Sequence, residues 1–454
     1  MTELADWHEN VIPKVAAETD LIIDAFARAE THHRRTIKVV TRDGGIDFMY
    51  SEGEILVREG YLDRVLEILE QPTRSELERD DHDRIRPVIE GVVLLRPRGE
   101  RYSVDVLGAL EAVDPRLGRG KATLNQVLTV AGGQGAGCSA TEPAEVYYDI
   151  EPFPSVCPDG GAGVLIYMAD TGLLLDTAAH PWLAHGVAMQ DPATDVDPLL
   201  PGSPPEIPAC AGHGTFGAGV LRCMAPDAQI VMTRALLYGG SQVESDLVPV
   251  LESALGLGPD VFHLTMACLS RYDQPLIGFE AWLRQVRQQG AICIAPAGNC
   301  GFARPEWPAG FPGVIAVGAL GGDWRGRATF SNFGPTVDVY APGRDIVNAF
   351  ATGTYNCYVY PYAGPPPQVR NFYGMAKWSG TSFSAPIVTG LIAARMSRTG
   401  ETARQAAAAV LAEARAQAIP GVGPVLLPRC GAGCGSREHE GCCCCHARQC
   451  RPGR

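Results

Sequence analysis

Three side chains of complementary chemistry lie far apart in the chain, each where an apolar run meets a stretch of small residues. Asp170 begins Asp170-Thr171-Gly172, His213 begins His213-Gly214-Thr215, and Ser382 lies within Gly380-Thr381-Ser382-Phe383-Ser384-Ala385-Pro386. A serine hydroxyl is a weak nucleophile at neutral pH and needs a neighbouring base to take its proton as it attacks. An imidazole titrates near working pH, so His213 suits both the removal of that proton and its return to a leaving amine. A carboxylate behind the imidazole fixes its tautomer and stabilises the imidazolium, which is the part read for Asp170. At a helix N-terminus, Ser382 has a favourable dipole and unused backbone N–H groups beside the developing negative charge. A fourth group, Asn299 in Ala295-Pro296-Ala297-Gly298-Asn299-Cys300-Gly301, ends another apolar run. Its side-chain amide and the backbone N–H of Ser382 make the expected pair of donors for a tetrahedral oxyanion.

Taken singly, each motif has an ordinary explanation. An aspartate at a strand end is commonly a cap, a His-Gly a turn, a Gly-Thr-Ser an N-cap and an asparagine a turn residue. Asp-Thr-Gly also serves sites in which two carboxylates share a proton, but this chain has no second copy. The order Asp, His, Ser, with each residue at an element boundary of one sheet, is what argues for acyl transfer.

The elements that must position these groups follow from the apolar pattern. Val164–Met168, Ala228–Ala235, Val261–Met266, Ala291–Ala295 and Val314–Val317 read as strands buried on both faces. Helical patterns over Ser245–Ala254 and Ile277–Gln289 alternate with them, and Ile387–Met396 reads as a buried helix. Strands alternating with helices predict an α/β domain with a parallel sheet covered on both faces, and ligand sites lie at the carboxyl ends of such strands. Upstream, residues 1–34 form a polar N-terminal segment with one amphipathic helix over Val15–Ala29. Residues 35–131 read as a small α+β domain, with strands at Thr36–Val40, Glu54–Arg58, Val88–Leu95 and Ala122–Val130 and helices at Tyr61–Leu69 and Val104–Ala112. A Gly/Pro-rich linker over 132–160 leads to the α/β domain, 161–427, and a Cys-rich low-complexity tail closes the chain over 428–454.

The motifs resemble those of the subtilisin-like serine peptidases, the subtilase family. Asp170-Thr-Gly, Gly212-His-Gly-Thr, Ala297-Gly-Asn and Gly380-Thr-Ser-Phe-Ser-Ala-Pro match its four blocks, with supporting text at Phe311–Gly318, Phe330–Gly334 and Val337–Gly343. The resemblance covers roughly residues 160–397. It implies a parallel seven-stranded sheet with helices on both faces and a serine endopeptidase groove at the sheet's carboxyl edge. Asp170, His213 and Ser382 would form the catalytic triad, with Asn299 in the oxyanion hole. It further implies that Leu264, Thr265, Met266, Ala267 and Gly298 flank the substrate, with the methyl of Ala267 narrowing the primary specificity pocket. The small N-terminal domain resembles the prodomains of such enzymes, which would make it an intramolecular inhibitor with its last strand or tail in the groove. A permanent accessory domain is the competing reading. The Tyr- and Pro-rich insertion between Ala349 and Lys377 must emerge near Ser382, as a cover for the groove or as a surface hairpin. A cover that excluded water would hand the acyl-enzyme to an amine, making a peptide ligase or macrocyclase. A non-catalytic peptide-binding module is a third reading, and the presence of all four catalytic elements argues against it.

Composition bounds the partners. Lys+Arg 38 against Asp+Glu 51 gives a net charge of −13 and a pI near 5.3, which disfavours nucleic acid or an anionic membrane surface. A hydrophobic fraction of 46% with 20% charged residues excludes disorder along the whole chain. No apolar run approaches the roughly 18–20 residues that span a bilayer, and Met1 is not followed by a basic and then apolar leader. The expectation is a cytoplasmic enzyme acting on a peptide or protein substrate, without cofactor or metal. Of the 15 cysteines, Cys430, Cys434, Cys442–Cys445 and Cys450 crowd the last 25 residues, and the other eight are scattered. In a reducing compartment those eight are expected as thiols without a disulfide framework. Four adjacent cysteines cannot all reach one tetrahedral metal, although Cys430, Cys434, His439 and His446 have suitable donors, so the tail is expected to be disordered.

Overall fold

The computed structural model describes residues 19–29, 34–42, 45–70, 84–98, 102–130, 140–146, 150–157, 159–357 and 368–428. The N-terminal part begins with a helix, α1, over 19–28. It continues through β1 (Ile37–Arg42), β2 (Gly45–Arg58), α2 (Leu62–Leu69), β3 (Ile85–Ile89), β4 (Val92–Leu95), α3 (Val106–Leu117) and β5 (Ala122–Val130). The run expected as one strand over Val88–Leu95 is a hairpin instead: β3 and β4 pair antiparallel. The chain reverses at Glu90-Gly91, where Gly91 takes φ 81°, a conformation that apolar patterning alone does not signal. One face of this sheet packs on α2 and α3 around Val57, Val65, Val106 and Leu110.

The larger part contains β6 (Leu165–Asp170), β7 (Val187–Met189), α4 (His213–Met224), β8 (Gln229–Arg234), β9 (Ser241–Val243), α5 (Glu244–Ala254) and β10 (Val261–Leu264). It continues with β11 (Met266–Ala267), α6 (Ile277–Gln289), β12 (Ile292–Pro296), β13 (Val314–Leu320) and β14 (Val339–Pro342). Last come β15 (Ile346–Asn356), β16 (Val369–Trp378), α7 (Thr381–Thr399) and α8 (Ala403–Ala416). The expected seven-stranded sheet is present, in the order β14-β13-β12-β10-β6-β8-β7, and every pairing in it is parallel. Its strands other than β7 and β8 are almost wholly buried, since α4, α7 and α8 cover one face and α5 and α6 the other. Apolar side chains on both faces are therefore what the position demands.

The inserted segment after Ala349 belongs to an antiparallel hairpin, β15 with β16, paired from Ile346↔Trp378 out to Asn356↔Val369 with a register shift between Ala349 and Thr352. The Tyr- and Pro-rich stretch from Tyr358 to Pro367 lies outside the described residues, as do the tail cysteines and part of the linker, residues 132–139, 147–149 and 158. Two described pieces of the linker pack on this hairpin through single bridges, Ala144 to Lys377 and Phe153 to Val347.

The two parts share a sheet. β5, the last strand of the N-terminal part, pairs antiparallel with β9 on one side and β11 on the other. Buried charge reinforces the contact: Arg35 reaches Glu54 at 3.1 Å and Asp246 at 3.0 Å, and Arg304 reaches Asp47 at 2.7 Å. Asn125 of β5 accepts the Ser245 N–H at 3.0 Å and donates to its hydroxyl at 3.0 Å, satisfying a donor in the first turn of α5.

The thiol expectation needs correction. Cys157 and Cys210 are disulfide-bonded, whereas Cys223, Cys268, Cys293, Cys300 and Cys357 are buried thiols. Scattered spacing does not reveal which sulfurs the fold brings together.

Candidate active site

Asp170 is the last residue of β6 and His213 the first of α4. The helix can start that close to the strand because position 214 is glycine: a Cβ there would lie 2.3 Å from the Gly172 carbonyl oxygen. The result is a two-point contact, with His213 Nδ1 2.9 Å from Asp170 Oδ1 and 3.0 Å from Oδ2. Asp170 Oδ1 also accepts the Thr171 N–H at 2.6 Å. Both side chains are fully buried, so the contact acts in a medium of low polarity, where it is stronger than in water.

Ser382 is the second residue of α7, whose N-cap is Gly380, so its backbone N–H belongs to the first turn and is not consumed by the helix. The His213 ring lies against Phe383 at 5.1 Å and edge-on to Trp378 at 5.5 Å, which places it beside the start of α7. Ser382 Oγ and His213 Nε2 are both buried, and neither has a hydrogen-bond partner. The Asp170–His213 half of the relay is thus formed and the His213–Ser382 hydrogen bond is not; such bonds commonly tighten only once substrate is bound. Asn299 follows β12, and its Oδ1 accepts both the N–H (2.8 Å) and the hydroxyl (2.9 Å) of Thr381. With Oδ1 so engaged, Nδ2 is the end directed elsewhere.

The residues expected beside the substrate separate into distinct settings. Met266 and Ala267 form β11 and pair with Val130 and Thr129 of β5. The Leu264 side chain lies in the core under the sheet, and the Thr265 hydroxyl donates to the Ala169 carbonyl at 2.9 Å. Gly298 faces a buried acid: a Cβ there would be 2.5 Å from Glu306 Cδ. Burial pushes Glu306 up to about 8, although Asn332 donates to it at 2.7 Å. Sequence reasoning missed the opposite edge strand, β9, which has no motif, and Thr381, whose part emerges only with Asn299 in place. It also missed His263, fully buried on β10 with Nδ1 2.9 Å from Thr389 Oγ1; burial pulls it down to about 4 and keeps it neutral. Among the described residues, no group of three or more His, Cys, Asp or Glu side chains is arranged to hold a metal ion, and no helix is long and apolar enough to cross a membrane.

The model of the subtilase family matches residues 161–433. The chain belongs to the subtilase family. A thermophilic serine proteinase from Bacillus sp. (strain AK1) is 33% identical over 239 residues, 52% of this chain and 52% of that protein. Thermitase from Thermoactinomyces vulgaris is 28% identical over 273 residues, 58% of this chain and 84% of its own length. This subtilase therefore spans about half the length of the first of these curated relatives. The solved structure of fervidolysin from Fervidobacterium pennivorans, a keratinolytic enzyme related to subtilisin, aligns with 86% of this chain and 61% of its own. The identity is 18% and the TM-score 0.54, a likeness of fold.

Proposed function

We propose that this subtilase is a serine endopeptidase whose N-terminal part occupies its own substrate groove as an intramolecular inhibitor. The observation that carries the reading is the buried Asp170–His213 contact, placed beside the first turn of α7 where Ser382 lies. In the reaction, His213 Nε2 takes the Ser382 proton as Oγ bonds to the substrate carbonyl carbon, and Asp170 stabilises the imidazolium. The carbonyl oxygen takes the negative charge, met by Asn299 Nδ2 and the Ser382 N–H. The C–N bond then breaks, and His213 returns the proton to the departing amine. Water repeats the sequence on the acyl-enzyme and releases Ser382.

The inhibitory role is supported by β5. An extended segment held between two edge strands is how many proteins grip a peptide, with main-chain bonds giving affinity. Val127, Leu128 and Thr129 pair with β9, Thr129 and Val130 pair with β11, and the Val130 N–H donates to the Gly240 carbonyl at 2.9 Å. Gly240 in turn lies against Cys210, three residues before His213, so β5 ends beside the histidine turn. On this reading, Met266, Ala267 and Ser241–Val243 align a substrate's backbone and Ala267 bounds its first pocket.

The test is digestion of a peptide library in ¹⁸O-labelled water with excess amine present, read by mass spectrometry. The reading expects internal cleavage with ¹⁸O at the new carboxyl ends and none with Ser382→Ala. Products capped by the amine would make the protein a ligase, and absence of cleavage after removal of residues 1–131 would overturn the peptidase reading altogether.

A further inference from the structure

Outside the triad, one buried carboxylate holds together the two turns that carry Asp170 and His213. Asp197 lies in the loop between β7 and α4 and is buried. Its Oδ2 accepts the Thr171 hydroxyl at 2.8 Å and the Gly212 N–H at 2.7 Å. Thr171 directly follows Asp170, and Gly212 directly precedes His213. The Thr171 oxygen also accepts the Gly214 N–H at 3.1 Å. The histidine is thus bracketed: the N–H before it bonds to Asp197 and the N–H after it bonds to Thr171, which Asp197 itself holds. The main chain of the same loop is tied to the Asp170 turn, with Asp197 N–H donating to the Leu173 carbonyl at 2.8 Å and Leu173 N–H to the Asp195 carbonyl at 3.0 Å.

Resting on the serine-peptidase reading above, we propose that Asp197 is a positioning residue for the relay. It fixes the spacing of the Asp170 and His213 turns at which Nδ1 meets both carboxylate oxygens. Burying a carboxyl group is costly, and burial pushes Asp197 up to about 7 despite its bonds to Gly212 and Thr171 and the nearby charge of Arg234. The fold bears that cost at a place where a single acceptor reaches both turns. Asp197 bonds to the turns that carry Asp170 and His213 and not to the Ser382 hydroxyl, so its effect is exerted through His213. An error of about 1 Å in such a relay is worth about 10²-fold in turnover.

The experiment measures kcat and KM on a peptide substrate for the full chain, with active sites counted by fluorophosphonate labelling and folding checked by thermal melting. Asp197→Ala is expected to lower kcat about 10²-fold while KM moves far less, and to shift or broaden the downfield Nδ1 proton resonance of His213. Asp197→Asn, whose amide oxygen can accept both bonds, is expected to restore kcat to near wild type. Thr171→Val and Thr171→Ser repeat the comparison if Asp197→Ala does not fold: Val loses kcat and Ser keeps it. Adding Thr171→Val to Asp197→Ala is expected to cost little more than either alone. Full kcat in folded Asp197→Ala or Thr171→Val, an unrescued Asp197→Asn, or a loss confined to KM would overturn the proposal. An inactive, unlabelled wild type would instead mark failure of the peptidase reading on which it rests.

Discussion

Thr381 gives both its backbone N–H and its hydroxyl to one oxygen of Asn299, at 2.8 and 2.9 Å. The two bonds fix the amide's rotation, which a turn asparagine would not need, and they join the end of β12 to the start of α7. That leaves Nδ2 as the donor proposed for the oxyanion, and preorganisation is what makes such donors effective in a transition state. Asn299→Ala is expected to lower kcat by about 10²–10³-fold with a small change in KM. Steady-state kinetics decides it: unchanged kcat would remove Asn299 from the oxyanion site.

If β5 is held as a substrate is held, the chain should cut itself just beyond that strand. N-terminal sequencing of protein recovered from its own cells is expected to find a new terminus between about 131 and 163, and none in Ser382→Ala. Identical termini in the two proteins would favour a permanent accessory domain.

Five strands of the parallel sheet, β6, β8, β10, β12 and β13, were legible because burial on both faces requires continuous apolar runs, as in Val261–Leu264 and Val314–Leu320. The edge strands were harder. β7 is three residues long and partly exposed, and β9 and β11 are strands chiefly because β5 pairs with them. Neither property is written in their own residues. Asp170, His213, Ser382 and Asn299 could be singled out as candidates because their chemistry depends on residue type within short motifs. Asp197 was not, because it sits in a loop rich in Asp and Pro (Asp191, Pro192, Asp195, Asp197, Pro198), where only the folded position distinguishes one carboxylate from another. The hairpin over Ile346–Trp378 could be expected as an alternative but not assigned, since its tyrosines and prolines suit a cover equally well.

Beside Asp197, two further buried acids set a pH dependence of stability. Burial pushes Glu306 and Glu244 each up to about 8, above the ordinary carboxyl range, so the fold holds protons that the unfolded chain releases. Where the native state binds more protons, stability falls as pH rises. This contribution is complete below the unfolded carboxyl's range and is lost by about pH 8. Glu306→Gln keeps an acceptor for Asn332 and mimics the neutral acid. Its melting temperature is expected to fall less than that of wild type between about pH 5 and 8; equal slopes would mean that Glu306 is ionised in the fold.

The cysteine assignment is checked by alkylation in denaturant without reductant. Cys223, Cys268, Cys293, Cys300 and Cys357 are expected to be labelled, and Cys157 and Cys210 only after reduction. Labelling of Cys157 or Cys210 before reduction would contradict the bridged state.

The most direct test of the central claim is covalent capture of the nucleophile. Fluorophosphonate treatment, followed by peptide mapping, should modify Ser382 and no other serine, both in the processed protein and after trimming of residues 1–131. The modification should be lost in His213→Ala as well as in Ser382→Ala, because the hydroxyl depends on the imidazole for its reactivity. A processed protein that stays unmodified, or a His213→Ala variant modified as fast as wild type, would contradict the account.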